Sequence, residues 1–268
     1  MPARPNDAAA FRALHDDFLI LPNAWDGVSA KLIERAGAKA IATTSAGVAW
    51  AHGYADGHGL PFAKLVTTIE EIARVVSLPV SADCEGGYSD DPKQVGENVA
   101  ALIGAGAVGI NLEDGKQPHE LHLRKIEAAR TAAERAGVAL YINARTDVYL
   151  AKLVAPEAVV EESIRRGRAA KEAGASGLFV PFAMKGDDIA AIAAAVEMPL
   201  NIISWAGVPK AGELKRLGAR RLSAGTEIAR TALAAARLAA EAFLAAGDSD
   251  ALAASAGERI NINALMQP

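Results

Sequence analysis

Glu34-Arg35-Ala36-Gly37-Ala38-Lys39-Ala40-Ile41-Ala42-Thr43 decides the fold, because the chain repeats it. It is echoed by Ile103-Gly104-Ala105-Gly106-Ala107-Val108-Gly109-Ile110-Asn111-Leu112. It returns as Lys171-Glu172-Ala173-Gly174-Ala175-Ser176-Gly177-Leu178-Phe179-Val180, and again as Lys215-Arg216-Leu217-Gly218-Ala219-Arg220-Arg221-Leu222-Ser223. Glu134-Arg135-Ala136-Gly137-Val138-Ala139-Leu140-Tyr141-Ile142 is a looser fifth copy. Each copy is the end of a charged amphipathic helix, a glycine able to take the left-handed C-cap, and then a β-run. Repeated helix–glycine–strand units imply parallel strands joined by right-handed crossovers.

Working outward from these copies gives candidate strands at Phe18–Pro22, Ala40–Thr44, Pro79–Asp83, Gly109–Leu112, Leu140–Asn143, Gly177–Val180, Leu200–Ile203 and Arg221–Ala224. Helical patterns fill the gaps at Gly27–Ala36, Ile69–Val76, Pro92–Gly104, His119–Ala136, Pro156–Ala173, Gly186–Val196 and Lys210–Leu217. Unbroken βα units in this number predict a (β/α)8 TIM barrel. A doubly wound open sheet is the runner-up, but no Gly-x-Gly-x-x-Gly follows the first strand. No linker divides the chain, so residues 1–268 read as a single barrel domain with 226–268 as a C-terminal helical extension. The Ala-rich run Thr226–Ala246 is longer than a barrel needs to cover its last strand. It either packs on its own barrel or reaches another subunit.

The bulk numbers narrow the function. A chain of 268 residues, 51% hydrophobic and 22% charged, can bury a full core. Its net charge of −4 and pI of about 5.8 argue against a nucleic-acid partner. Cys84 is the single cysteine, which excludes an intrachain disulfide and fits a reducing compartment. The first residues carry no apolar signal core, and no stretch is long and uncharged enough to span a bilayer. The expectation is a cytoplasmic protein with no membrane partner.

Two strands end abruptly in acids: Ser81-Ala82-Asp83-Cys84-Glu85-Gly86-Gly87-Tyr88 and Gly109-Ile110-Asn111-Leu112-Glu113-Asp114-Gly115. A third, Leu140-Tyr141-Ile142-Asn143-Ala144-Arg145-Thr146-Asp147, brings a cation to the same rim. Unpaired acids at the end of a buried strand are costly, so several converging on one point suggest a hard divalent cation, and magnesium suits oxygen ligands. In such barrels the site lies at the carboxyl ends of the strands. The first strand ends Pro22-Asn23-Ala24-Trp25-Asp26, and the second ends Thr43-Thr44-Ser45-Ala46-Gly47 before a loop with His52, Tyr54, Asp56 and His58. The later ends are less polar: Pro181-Phe182, Ser204-Trp205 and Ser223-Ala224-Gly225-Thr226. This asymmetry suggests metal-assisted stabilisation of an oxyanion, with Thr44–Gly47 as a small-residue turn whose amides cradle a substrate carboxylate. Arg145 adds a charge-assisted contact. The competing readings are a solvated acidic loop, a structural ion pair of Arg145 with Glu113 or Asp147, and a mere cap at Thr44-Ser45. Cys84 alternates with the acids and reads as a buried structural thiol, and His52 and His58 read as loop residues.

Together these segments resemble the isocitrate lyase/phosphoenolpyruvate mutase superfamily from Leu21 to about Ala246. The resemblance rests on Pro22-Asn23-Ala24-Trp25-Asp26, Thr44-Ser45-Ala46-Gly47, Asp56, Asp83-Cys84-Glu85-Gly86-Gly87-Tyr88, Gly109–Asp114 and Ile142–Asp147. It implies a magnesium-dependent reaction beside a 2-oxo acid through an enolpyruvate-like intermediate, with manganese as a substitute metal. It implies that Asp83 binds the metal, with Asp56, Glu85 and Glu113 nearby. Arg145 and Glu113 would be catalytic, and Ser45, Ala46 and Gly47, with Thr44, Trp25 and Asn201, would bind substrate. It also implies a last helix exchanged between subunits of a homodimer or homotetramer.

Departures from that pattern shape the expected reaction. Lyases of isocitrate and 2-methylisocitrate in this group carry a cysteine in a gating loop after the fourth strand. Here the loop reads Asp114-Gly115-Lys116-Gln117-Pro118-His119-Glu120-Leu121-His122, without cysteine and without the mutase-type asparagine. Lys116 and His119 are the remaining candidates for an acid or clamp when that loop closes. Decarboxylation needs less of the loop, since solvent can protonate the enolate. The expectation is therefore a lyase of a small 2-oxo or 2-hydroxy carboxylic acid, of the oxaloacetate-decarboxylating kind. The alternatives are phosphonate mutase or hydrolase chemistry, 2-methylisocitrate-type cleavage with another acid, and a non-catalytic scaffold. A Schiff-base aldolase would need a strand-end lysine, and Lys185 is the only near candidate.

Overall fold

A computed structural model describes residues 5–255 and 260–267. The chain opens with α1 (Pro5–Ala13) and β1 (Leu19–Leu21), and passes through Pro22 into β2 (Asn23–Ala24). It continues with α2 (Gly27–Arg35), β3 (Ile41–Thr43), α3 (Ser45–Ala51), α4 (Phe62–Val75), β4 (Val80–Asp83), α5 (Pro92–Ala105), β5 (Ala107–Glu113) and α6 (His119–Arg135). Then come β6 (Tyr141–Arg145), α7 (Val159–Glu172), β7 (Gly177–Phe179), α8 (Gly186–Val196), β8 (Leu200–Ile203), α9 (Ala211–Arg216) and β9 (Arg221–Ser223). The helices α10 (Glu227–Ala246), α11 (Ser249–Ser255) and α12 (Ile262–Leu265) follow.

All strand pairs are parallel, and the sheet runs β1-β9-β8-β7-β6-β5-β4-β3-β2. Its two ends are halves of one stave. Pro22 separates β1 from β2 because it offers no N–H to the ladder. Leu21 O still accepts from Ala224 N at 3.1 Å, and Pro22 O from Ala42 N at 3.4 Å. One half therefore pairs with the last strand and the other with the next, which closes the sheet as the (β/α)8 barrel that the repeat predicts. The repeat glycines behave as read: Gly106 and Gly174 sit at φ 115° and 103°, a conformation that a Cβ disfavours.

Some elements differ from the sequence reading. Helix α4 begins at Phe62 rather than Ile69, directly after Pro61, and buries Leu65, Ile69 and Ile72 on one face. The turn expected at Thr44–Gly47 is the first turn of α3. Helix α1, which carries no repeat signal, covers the amino-terminal end of the barrel. Phe11 is fully buried there, worth about 2 kcal/mol. Gly109 leaves room for it, since a Cβ at that position would come within 2.7 Å of the Phe11 ring.

The barrel interior is polar. Arg221 Nη2 reaches Asn111 Oδ1 at 3.4 Å, and Asn143 Nδ2 donates to the same oxygen at 2.9 Å. Strands β9 and β5 are not neighbours, so side chains that meet between them lie inside the barrel. Side chains alternate along a strand. Glu113 and Arg145, two residues beyond Asn111 and Asn143, therefore share the inward face, while Asp114 points out toward the helices.

Helix α10 buries only Ala229. Leu233, Leu238, Phe243 and Leu244 are 52%, 56%, 41% and 84% exposed. Among the described residues, no helix is long and apolar enough to cross a membrane.

Candidate active site

The carboxyl ends of β4, β5 and β6 bring Asp83, Glu113 and Arg145 together. Arg145 Nη1 lies 2.7 Å from Glu113 Oε2, and its other edge donates to Asp147, from Nε at 2.7 Å and from Nη2 at 3.0 Å. The guanidinium also lies over the Phe179 ring, 5.8 Å from its centre. Strand β4 ends at Asp83, and the chain turns at once. Glu85 (φ 49°), Gly87 (88°) and Tyr88 (60°) all take the left-handed region. That turn, rather than strand alternation, brings Glu85 back to the site.

Glu85 is held from two sides. The backbone amide of His58 donates to its Oε2, and His58 Nδ1 lies 3.1 Å from the same oxygen. Tyr88 donates its hydroxyl to Oε1 at 3.2 Å. His58 Nε2 in turn accepts from Gly86 N at 3.2 Å, so the neutral ring carries its proton on Nδ1. The turn of residues 56–58 is thereby stitched to the acidic end of β4.

Arg145 thus sits between the carboxylates of Glu113 and Asp147, with the charge of Asp83 also acting on it, while Glu85 adds to the negative charge around Glu113. Burial pushes Glu113 up to about 8 despite the Arg145 contact, and Asp83, Asp147 and Glu85 push in the same direction. Burial also raises Glu85, against the pull of His58. On Arg145, burial opposes the charge, but Glu113 and Asp147 outweigh it and raise the pKa. Asp83 gives the clearest sign of a missing partner. Its Oδ2 accepts from Ser45 N at 3.1 Å, whereas Oδ1 is buried and unpartnered. A buried carboxylate oxygen without a donor, in an excess of negative charge, fits a hard divalent cation. Carboxylate oxygens of Glu85 and Glu113 lie within 4.8 Å of each other.

Beside Asp83, the amino terminus of α3 presents the amides of Ser45, Ala46 and Gly47. Amides in a first helical turn lack intrahelical acceptors and favour anions. Thr44, the residue before the helix, makes no side-chain cap. Gly47 permits the close packing behind this turn, because a Cβ there would meet Thr44 Cγ2 at 2.7 Å and Trp25 Cβ at 3.0 Å. Half-buried Trp25 lies behind the turn, lining a cavity with Leu32, Ile33, Ile228 and Ala232.

Of the other sequence candidates, Asp56 borders this cluster and the rest fall away from it. Asp56 is exposed in the turn that His58 anchors, and its charge adds to the upward push on Glu85. Lys116 is exposed on the loop after β5. His119 is buried, and its ligating atoms group with Asp114 and His122 rather than with Glu113. Asn201 lies inside the barrel, where Oδ1 accepts from Ser223 Oγ at 3.1 Å and Nδ2 is unpartnered. Asp114 ties loops together: Oδ1 accepts from Asp147 N at 2.9 Å, and Oδ2 accepts from Thr146 Oγ1 and Arg166 Nη1, both at 2.7 Å. Cys84 is buried and donates to Asn111 O at 2.9 Å, as a structural thiol. In the sequence alone His58 reads as a loop residue and Tyr88 carries no role. The only written signal for them is the glycine spacing around each, which marks turns without saying where the turns meet.

A closed barrel with acids and one arginine gathered at the carboxyl ends of its strands agrees with membership of the isocitrate lyase/phosphoenolpyruvate mutase superfamily. The chain belongs to the phosphoenolpyruvate phosphomutase family, whose model matches residues 11–244. An uncharacterized protein of Mycobacterium tuberculosis strain H37Rv is 33% identical over 219 residues, 81% of this chain and 82% of that protein. The crystal structure of a phosphonomutase candidate from Burkholderia cenocepacia J2315 superposes with a TM-score of 0.84 at 38% identity, covering 88% of this chain and 99% of that one. An oxaloacetate decarboxylase of Bradyrhizobium sp. BTAi1 is 30% identical over 164 residues, 59% of this chain and 56% of that enzyme.

Proposed function

We propose that this chain is a divalent-metal-dependent lyase that breaks a carbon–carbon bond beside the oxygenated carbon of a small 2-oxo or 2-hydroxy carboxylic acid. Decarboxylation of an oxaloacetate-type acid is the first reaction to assign. The observation that carries this reading is Asp83 Oδ1, a buried and unpartnered carboxylate oxygen at the rim where Glu113 and Asp147 pair with Arg145. Asp83, Glu85 and Glu113, with Asp56 from the loop, would hold magnesium, or manganese in its place. Bound there, the cation supplies Lewis-acid stabilisation of charge developing on the substrate.

The chain's own groups do the rest. The amides of Ala46 and Gly47 bind the substrate carboxylate, beside the Ser45 amide that holds Asp83. Arg145, held in one orientation by Glu113 and Asp147, aims its charge at the 2-oxo oxygen. As the C3–C4 bond breaks, carbon dioxide leaves and the electron pair moves into C2–C3, giving an enolate. Solvent then returns a proton to C3. No side-chain acid is required for the departing group, in keeping with a loop after β5 that lacks a cysteine. Phosphorus–carbon chemistry at the same site is the second reading, favoured by the family model and the Burkholderia relative. The open apolar face of α10 supports a subunit contact within a homodimer or homotetramer.

The test is a panel of oxaloacetate, 2-methylisocitrate and phosphonopyruvate assayed with Mg2+ or Mn2+ for release of pyruvate or phosphate. Pyruvate from oxaloacetate, lost with EDTA, supports the reading. Phosphate from phosphonopyruvate alone moves the assignment to the second. No turnover, together with no metal-linked binding of oxalate by calorimetry, leaves a scaffold.

A further inference from the structure

Behind β5, on the side opposite Glu113, lies a second group of metal-ligating side chains. Asp114, His119 and His122 are 1%, 6% and 2% exposed, and their ligating atoms lie within 4.8 Å of one another. The two histidines stand three residues apart on α6, so they share one face. His122 Nε2 lies 3.0 Å from Leu112 O. A carbonyl only accepts, so Nε2 carries the proton and Nδ1 keeps its lone pair. That Nδ1 has no partner, and neither ring nitrogen of His119 has one.

Three buried imidazole nitrogens without partners are costly to keep desolvated. A ring N–H fixed on a backbone carbonyl, with the other nitrogen free, is the arrangement that metal-binding histidines use. Asp114 is oriented in the same manner, by the Asp147 amide, Thr146 and Arg166. Its Oδ1 takes only one donor, which leaves an acceptor position. Burial lowers His119 to about 4, with Arg166 adding to the effect, and burial lowers His122 as well.

We propose that Asp114, His119 and His122 form a second cation site, separate from the barrel mouth, for a divalent transition ion that prefers imidazole, such as Zn2+ or Co2+. Arg166 sets the selectivity. An entering cation must share Asp114 with the guanidinium, which weakens the carboxylate contribution and disfavours Mg2+ and Ca2+. An ion that favours imidazole keeps two nitrogen ligands regardless. Occupancy would pin the start of α6 to the loops after β5 and β6.

The test fills the mouth with excess Mg2+ and titrates the full chain with Co2+. The expected result is one Co2+ per chain with a visible absorption band, weakened about tenfold or more in His119→Gln. In protein labelled with 15N at histidine, Zn2+ should move the Nδ1 resonance of His122. His122→Ala also loses the Leu112 contact and so risks the fold, which is why His119→Gln and the resonance carry the decision. Equal Co2+ binding by wild type and His119→Gln, no Co2+ binding with Mg2+ present, or an unmoved His122 resonance would each overturn the proposal.

Discussion

The amide of Ser45 donates to Oδ2 of Asp83 at 3.1 Å, linking the start of α3 to the end of β4. The contact leaves Oδ1 of the same carboxylate as the buried oxygen without a donor. An anion-favouring helix terminus and a cation-seeking carboxylate are therefore locked side by side. A substrate carboxylate and a metal ion would need that geometry.

Asp83→Ala should abolish metal-dependent turnover and leave the fold intact. The side chain makes one hydrogen bond, from an amide at a helix end, so its loss costs about 1 kcal/mol. Activity with Mg2+ and far-ultraviolet circular dichroism check this together. Full activity in the variant would remove Asp83 from the site.

Arg145→Lys should lower kcat about a hundredfold or more, because an ammonium cannot contact Glu113 and Asp147 in the planar fashion seen here. Losing the two-point contact with Asp147 should also lower stability by about 1–2 kcal/mol. Steady-state kinetics and urea unfolding read the two effects separately.

Glu113 predicts a pH dependence in metal-free protein. Its folded value of about 8 lies above the ordinary 4.5, so between these values the native state holds more protons than the unfolded one. Stability contributed by the neutral acid is present below pH 4.5 and is lost as pH rises toward about 8. Unfolding in EDTA across that range should show the decline, and Glu113→Gln should flatten it. Metal must displace the same proton, so Mg2+ affinity should climb with pH and level off above about 8.

Gly47→Ala should destabilise the protein by about 1–3 kcal/mol. The new methyl group would fall 2.7 Å from Thr44 Cγ2 and 3.0 Å from Trp25 Cβ, and relief requires moving the start of α3 away from Asp83. Thermal unfolding and a raised KM for the oxo acid are the readouts.

Glu162 contributes to the acid limb of stability. Its hydrogen bond with Arg165, aided by Arg166 against some burial, holds its pKa at about 2. The stability this contributes is present above the ordinary 4.5 and is lost as pH falls through about 2. Glu162→Gln should flatten the stability profile over that interval.

The sequence by itself determined the barrel and much of its rim. The helix–glycine–strand repeat is local chemistry: a glycine that tolerates a left-handed cap, then apolar residues that must be buried as a parallel strand. Acids placed where a strand stops are likewise written in the chain, which is why Asp83, Glu113 and Arg145 could be named together. Tertiary structure decided the rest, because side chains meet across long separations only after the sheet closes. The split at Pro22 let one stave pair on both sides, and left-handed turns swung Glu85 and His58 toward each other. Strand alternation sent Asp114 outward, where Arg166, His119 and His122 gather around it, away from the mouth where the sequence reading had set His119. None of these meetings has a period or a composition to betray it; each follows from which way a side chain faces once its neighbours are in place.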